Sequence, residues 1–253
     1  MLDAKHISKY YKVHGNSFTA LDDVSLTLGD GEFHAIVGES GSGKTTLAMI
    51  MCGLISADKG EVLLNDLPVT LKSRKKDRRI CSQIQLVLQN SRGATDPRYT
   101  VYDTIAEPLR LLKKCGKNEE KDRVHALCEQ LQLDCCLLEQ PASILSGGQT
   151  KRLALARAFA AEPDILILDE AVSGMDVVLR KNILDLLKQL HDETGKTFLF
   201  ITHDIDAALY TASHISVMKQ GKMIEQVQYT GDTDVFKEDY SHILIRSSVP
   251  EKK

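Results

Sequence analysis

No apolar run in this 253-residue sequence approaches the length of about 18–20 residues that a membrane-spanning helix needs. We therefore expect a soluble chain, so that any work at a membrane would require spans from another chain. The sequence also lacks a large net charge of either sign. The formal net charge of −3, with 26% charged residues, does not indicate a general nucleic-acid-binding surface.

The six cysteines form no recognisable motif. Only Cys135 and Cys136 lie close together, and adjacent cysteines match neither a zinc-binding spacing nor a C-x-x-C redox pair. Because the N-terminus shows no secretory signal, reduced cytosolic thiols are the simplest expectation. A chain of this length suits one large domain or two small ones and needs no disulfides.

The segment 38–45 reads GESGSGKT and matches the phosphate-binding loop pattern G-x-x-x-x-G-K-[ST]. A strand-like stretch, 33–37, precedes it and a helix-like stretch, 46–51, follows it, which is the context that the motif needs. Glycines let successive backbone N–H groups point at phosphate oxygens, and the helix N-terminus adds partial positive charge. The predicted nucleotide-binding residues here are Gly38, Glu39, Ser40, Gly41, Ser42, Gly43, Lys44, Thr45 and Thr46.

Within this loop, Lys44 would reach the β- and γ-phosphates of ATP, and the Thr45 hydroxyl would ligate Mg²⁺. The alternative is an ordinary glycine-rich turn, because the pattern arises by chance in roughly one chain in a hundred of this size. The flanking strand and helix make nucleotide binding the favoured interpretation.

A continuous apolar run, 165–168, ends in Asp169 and Glu170 and is typical of a buried central strand. An acid at the tip of a strand beside the phosphate loop can hold Mg²⁺, usually through water. The next carboxylate can act as general base on an attacking water. The alternative is a surface turn, which the phosphate loop makes the less favoured interpretation.

The segment 145–149, LSGGQ, is the most specific signal, since composition predicts it by chance in roughly one chain in several thousand. The residues that follow, 150–161, are typical of a helix. Ser146, Gly147 and Gly148 would therefore stand at a second helix N-terminus that can bind an anion.

Apolar and polar residues alternate in the first 35 residues, whereas strands and helices alternate further along. The pattern predicts an α/β fold with a mainly parallel sheet, an N-terminal antiparallel β subdomain and a helical insertion over about 92–161.

With these motifs in this order, the sequence resembles the ATP-binding cassette ATPases, and 145–149 matches their signature motif. The resemblance implies an ATPase domain over 1–228, with 92–161 as its helical subdomain, and a short tail over 229–253. It also implies a head-to-tail dimer, in which each ATP lies between the phosphate loop of one subunit and residues 146–149, including Gln149, of the other.

The same resemblance assigns further residues. Tyr11, with Tyr10 as the fallback, would stack on adenine. Gln89 would contact Mg²⁺ and water and sense the membrane partner, and Asp176 would belong to the D-loop. His203 would contact the γ-phosphate, although a lone histidine is more often structural. The implied catalytic set is then Glu170, His203, Lys44 and Gln89, with Thr45, Gln89 and Asp169 as Mg²⁺ ligands.

Three departures from the family pattern are visible. Met175 stands where leucine is more usual, Ala171 where proline is common, and 150–152 (TKR) where glutamine is frequent. We expect neither Ala171 nor 150–152 to touch the chemistry.

Segment 94–98 and the tail at 232–242 are similar to the oligopeptide, dipeptide and nickel importer ATPases. This similarity implies a peripheral protein at the cytoplasmic face of the cell membrane. Its partners would be two permease subunits, a second ATPase and an extracellular solute-binding protein, with no nucleic acid. The cargo would be small peptides, nickel or a staphylopine-type metallophore complex.

Three alternatives remain open at this stage. A P-loop kinase would share the phosphate loop but gives no reason for 145–149. A non-transport cassette usually carries two cassettes or a coiled coil. A catalytically silent structural cassette would bind ATP without turning it over, and the intact acids argue against it.

Overall fold

The computed structural model describes residues 1–13, 16–69, 78–88, 96, 98–113 and 115–248. Its strands, in chain order, are β1 Leu2–Val13, β2 Asn16–Leu28, β3 Phe33–Val37, β4 Lys59–Leu64, β5 Leu67–Pro68, β6 Ile84–Val87, β7 Ile165–Asp169, β8 Thr197–Thr202, β9 His214–Lys219 and β10 Lys222–Gln228. Its helices are α1 Lys44–Met51, α2 Arg78–Gln83, α3 Val101–Pro108, α4 Lys117–Gln130, α5 Gly147–Ala160, α6 Val177–Thr194, α7 Ile205–Thr211 and α8 Asp239–Ser248.

The larger sheet has the strand order β10-β9-β3-β8-β7-β6. All neighbouring pairs in it are parallel except β9 with β10, which form an antiparallel hairpin. Val37 pairs with Thr202, and Asp169 pairs with Ile201. The loops that follow β3, β7 and β8 therefore leave the same edge of the sheet, where α/β proteins place their ligands.

A second, antiparallel sheet has the order β2-β1-β4-β5. Together, the two sheets confirm the predicted α/β fold with an antiparallel N-terminal part. The β subdomain covers one face of the larger sheet together with α1, while α5, α6 and α7 cover the other.

The side chains of β7 alternate between the two faces of the sheet, which explains why its apolar run is continuous. Leu166 and Leu168 enter the core on the helical side, and Ile165 and Ile167 enter the core beneath the β subdomain. A strand covered on both faces has no side that favours polar residues, so every position is apolar until the strand ends.

Between β6 and β7 the chain is mainly helical, with α3, a π-helical turn at Leu109–Lys113, α4 and α5. Glu120 links α4 to α3 and to the π-helical turn, since it accepts hydrogen bonds from Tyr102 Oη at 3.1 Å and from Arg110 Nη2 at 2.8 Å. Among the helices that the structure describes, none combines the length and apolar character needed to cross a bilayer.

Candidate nucleotide site

The loop between β3 and α1 wraps closely around a small volume. Gly38 has φ 150° and Gly43 has φ 101°, a backbone region that L residues rarely adopt. Space is also short, because a Cβ at Gly43 would lie 2.5 Å from the carbonyl oxygen of Ala20, and one at Gly38 would collide with the carbonyl oxygen of Met218. Glycine is therefore required at both positions for steric as well as conformational reasons.

Lys44 begins α1 and turns its side chain back into the loop. Its Nζ donates to the carbonyl oxygens of Gly38 and Glu39, each at 2.8 Å, and to Ser42 Oγ at 3.2 Å. Burial lowers the pKa of Lys44, while the nearby charges of Glu170 and Asp169 act in the opposite direction. A buried ammonium group in a ring of oxygens is well placed to bind a phosphate anion.

Asp169 ends β7 directly beside α1, with only 3% of its surface exposed. Thr45 Oγ1 donates to Asp169 Oδ1 at 3.1 Å. Burial raises the pKa of Asp169 and the charge of Glu170 adds to the rise, whereas the Thr45 hydrogen bond and the charge of Lys44 lower it. A buried carboxylate and a hydroxyl are hard oxygen donors, so this pair fits Mg²⁺.

Glu170 follows with a left-handed backbone, φ 51°, which is strained for a residue with a side chain. Its backbone N–H donates to Ile201 O at 2.9 Å, which holds the residue against β8. Glu170 Oε1 accepts from His203 Nδ1 at 2.8 Å. Glu170 Oε2 is buried and has no hydrogen-bond partner among the described residues, so this oxygen remains able to accept a proton from water.

Lys44, Thr45 and Glu170 line one cavity of about 510 Å³, whereas Gly38 and Asp169 are not part of its lining. Its lining residues are Tyr11, Phe18, Ala20, Ser40, Gly41, Gly43, Lys44, Thr45, Thr46, Glu170 and His203. The cavity has an aromatic end, formed by β1 and β2, and a polar end at the phosphate loop. Such a shape suits a ligand that joins a flat ring to a row of phosphates.

Sequence reasoning found Tyr11 but missed its neighbour Phe18. The two residues are directly opposite each other in the β1–β2 pairing. That register can be read only once the hairpin is known, so the sequence carried no clear signal for Phe18. The fallback residue Tyr10 is not among the residues that line the cavity.

The segment 146–149 forms the N-terminus of α5 and lies outside the lining of this cavity. Gln149 N donates to Ser146 Oγ at 3.3 Å, and Ser146 N donates to Gln149 Oε1 at 2.9 Å, which is a reciprocal capping box. Asp176 likewise caps α6, accepting from Leu179 N at 2.9 Å, outside the cavity lining. The predicted Gln89 and most of segment 94–98 lie outside the described residues.

The family model described as ABC transporter matches residues 21–173, which include the phosphate loop, the segment 145–149 and the two acids. The chain belongs to the ABC transporter family. As an ABC ATPase it binds and hydrolyses ATP, which agrees with the shape and charge of the cavity.

Individual relatives of this ABC ATPase support the assignment over nearly its whole length. The nickel import ATP-binding protein NikE of Shigella dysenteriae is 37% identical, covering 99% of this chain and 95% of its own. NikE of Escherichia coli K12 is 38% identical over 91% of this chain and 85% of its own. A dimeric ATP-binding cassette in a post-hydrolysis state with ADP and Pi has a TM-score of 0.82 and 29% identity, covering 92% of this chain and all of that one.

One of the three family departures, the segment 150–152, contains a lysine near the two acids. Lys151, on the first turns of α5, is half-buried, and the charges of Asp169 and Glu170 both act on it. Burial lowers the pKa of Lys151, and the two carboxylates raise it. In this ABC ATPase, a lysine of α5 is therefore among the charges around the two acids.

A substitution at Gly43 should damage the loop more than the same substitution at Gly41. Gly41 also has positive φ, but a Cβ there would meet nothing within 4 Å. Gly41→Ala should cost only backbone strain of about 1–2 kcal/mol. Gly43→Ala adds the collision with Ala20 and should abolish ATP binding in a calorimetric titration. Equal affinities of the two variants would contradict the packing described here.

Removing the charge of Asp169 should stabilise the nucleotide-free ABC ATPase. The folded-state pKa of Asp169 is raised, so its contribution to stability is most favourable at low pH and is lost as the pH rises through that pKa. Asp169→Asn keeps an acceptor for Thr45 and should unfold at higher temperature, with a gain that grows as the pH rises above the ordinary aspartate pKa of about 4. Scanning calorimetry with and without Mg²⁺-ATP checks this, since Mg²⁺-ATP should stabilise the wild type more than the variant. A gain that does not change with pH would contradict it.

Proposed function

We propose that this ABC ATPase powers the import of nickel, free or bound to a small metal-chelating molecule, across the cell membrane. The observation that carries the proposal is the similarity to nickel import ATP-binding proteins along nearly the whole chain. The ATPase would act at the cytoplasmic face on two permease subunits, with a solute-binding protein delivering the cargo. Small peptides are the other cargo that its subfamily resemblance implies.

The positions of the two helix starts that can bind anions support a dimer with a second ATPase subunit. Segment 146–149 does not line the cavity at the phosphate loop, although its capped helix start is suited to binding an anion. Gly147 is exposed, and a Cβ there would meet nothing within 4 Å. This open helix end suits the γ-phosphate of an ATP bound to a partner subunit, in the head-to-tail arrangement of the family.

In the proposed reaction, Tyr11 and Phe18 hold the adenine ring while the N–H groups of segment 38–45 bind the phosphates. Lys44 transfers its hydrogen bonds from its own loop to the β- and γ-phosphate oxygens. Mg²⁺, bound by Thr45 and Asp169 with Gln89, would neutralise charge that develops on those oxygens.

Hydrolysis then depends on Glu170 and His203. Water attacks the γ-phosphorus in line with the bond to the β-phosphate oxygen, that bond breaks, and ADP leaves with its electron pair. Glu170 Oε2, which lacks a partner in the described structure, accepts the proton of the attacking water. His203 Nδ1 donates to the other carboxylate oxygen and so orients Glu170, while its exposed ring can reach the γ-phosphate.

Coupling to transport would use the helical part of the proposed 1–228 ATPase domain. We place this subdomain at about 92–161, where α3, α4 and α5 follow one another. Gln89 precedes it and would transmit the state of the γ-phosphate to the permease. The tail over 229–253 would lie outside this pathway.

Replacing the proposed general base should stop hydrolysis without preventing binding. Glu170→Gln should lower ATP turnover of the assembled transporter by about 10²–10⁴-fold, because the amide cannot accept the proton. ATP affinity should persist, and dimers should accumulate in size-exclusion chromatography with ATP. Glu162→Gln is the control, since Glu162 pairs with Lys113 and Arg123 away from the cavity. Normal turnover in Glu170→Gln would show that the base is elsewhere.

The cargo is tested by expressing the ATPase with its neighbouring permeases in cells that lack other nickel uptake systems. We expect accumulation of radioactive nickel, supplied alone or with a chelator of the metallophore class, and no accumulation with Lys44→Ala. The protein should sediment with membranes only when the permeases are present. Uptake of a labelled dipeptide without nickel uptake would overturn the nickel assignment and leave the ATPase assignment intact.

A further inference from the structure

The C-terminal helix α8 is anchored in the core of the ATPase. Phe236, just before α8, is 1% exposed, and Ile245 within α8 is 7% exposed. Both belong to the apolar core on the helical side of the larger sheet. The ring of Tyr229 packs on Phe236 with centroids 6.4 Å apart. These contacts fix the position of α8 on the core.

The turn between β9 and β10 joins α8 to the phosphate loop. The carbonyl oxygen of Met218 lies against Gly38, and Gly221 N donates to Ser42 O at 3.0 Å, so the turn supports both ends of the loop. Lys219, the last residue of β9 before this turn, places its Nζ 4.1 Å from the centroid of the Tyr240 ring. The first turn of α8, the β9–β10 turn and the phosphate loop thus form one packed unit.

The hydroxyl of Tyr240 lies at the centre of this unit. It is buried and makes no hydrogen bond within the described residues. Burial raises the pKa of Tyr240, the backbone N–H of Glu39 lowers it, and the Glu39 carboxylate raises it, so Glu39 is the neighbour that this hydroxyl faces. A buried hydroxyl without a partner is unfavourable, and a small shift of Glu39 would supply one.

We propose that Tyr240 is a positioning residue for the phosphate loop. When phosphates draw the N–H groups of the loop toward them, Glu39 moves with the loop and its carboxylate accepts a hydrogen bond from the Tyr240 hydroxyl. The occupied loop is stabilised by α8, and α8 is stabilised by the occupied loop. This inference rests on the nucleotide site assigned above and is independent of the cargo.

The hydroxyl is tested by Tyr240→Phe, which keeps the ring on Lys219. The loss of one hydrogen bond should weaken ATP binding by about 2- to 10-fold and raise KM by the same factor, with kcat unchanged. Without nucleotide, the unfolding temperature should not fall, because the variant removes a buried hydroxyl that has no partner within the described residues, and this separates positioning from simple stability. Tyr229→Phe is the matched control, since it alters a tyrosine of the same tail that packs on Phe236, and its affinity should equal that of the wild type.

The reciprocal effect is tested by amide hydrogen exchange on the full chain. ADP should slow exchange in the peptide 239–248 of the wild type and of Tyr229→Phe, and should leave it unchanged in Tyr240→Phe. If all three proteins bind ADP equally and α8 responds equally, Tyr240 has no positioning role. If the wild type binds no nucleotide, the proposed site itself is wrong, so the two failures are distinguishable.

Discussion

The structure depends on two adjacent carboxylates at the end of a central strand, Asp169, which is buried, and Glu170, which is half-buried. Asp169 and Glu170 lie where β7 leaves the core, and burial disfavours the charge of Asp169. Two lysines from separate segments, Lys44 of α1 and Lys151 of α5, offset that charge. The charges of these acids and lysines are therefore incompletely compensated without a ligand. A phosphate chain with its cation has the charges and oxygen atoms to complete the compensation.

The parallel sheet makes this arrangement possible. Residues more than 100 positions apart, such as Thr45 and Asp169, come within hydrogen-bond distance because β3, β8 and β7 are neighbours that end at one edge. His203 reaches Glu170 in the same way from the end of β8. Helix α5 contributes Lys151 to this edge, while Ser146 at its start lies outside the cavity, so one helix connects the two acids to the exposed segment 146–149.

Much of the candidate site could be predicted from the sequence because its main motifs are each short and continuous. The phosphate loop, the acids after β7 and the capped start at Ser146 each lie within a few residues, so their spacing is visible in the sequence. The contributions of Phe18 and Lys151 could not be predicted. Phe18 depends on the pairing register of two strands, and Lys151 on how α5 packs beside β7, neither of which short motifs record. The packing of Tyr240 beside the phosphate loop likewise required the fold.

The ring of hydrogen bonds around Lys44 has one more consequence. Three oxygens of its own loop hold the ammonium group in place before any nucleotide arrives. The conformational entropy of ordering this loop is therefore lost during folding rather than during association. ATP therefore meets a preorganised loop, in which Lys44 has only to replace loop oxygens with phosphate oxygens, so binding should be fast and should need only small shifts of the loop, such as that of Glu39.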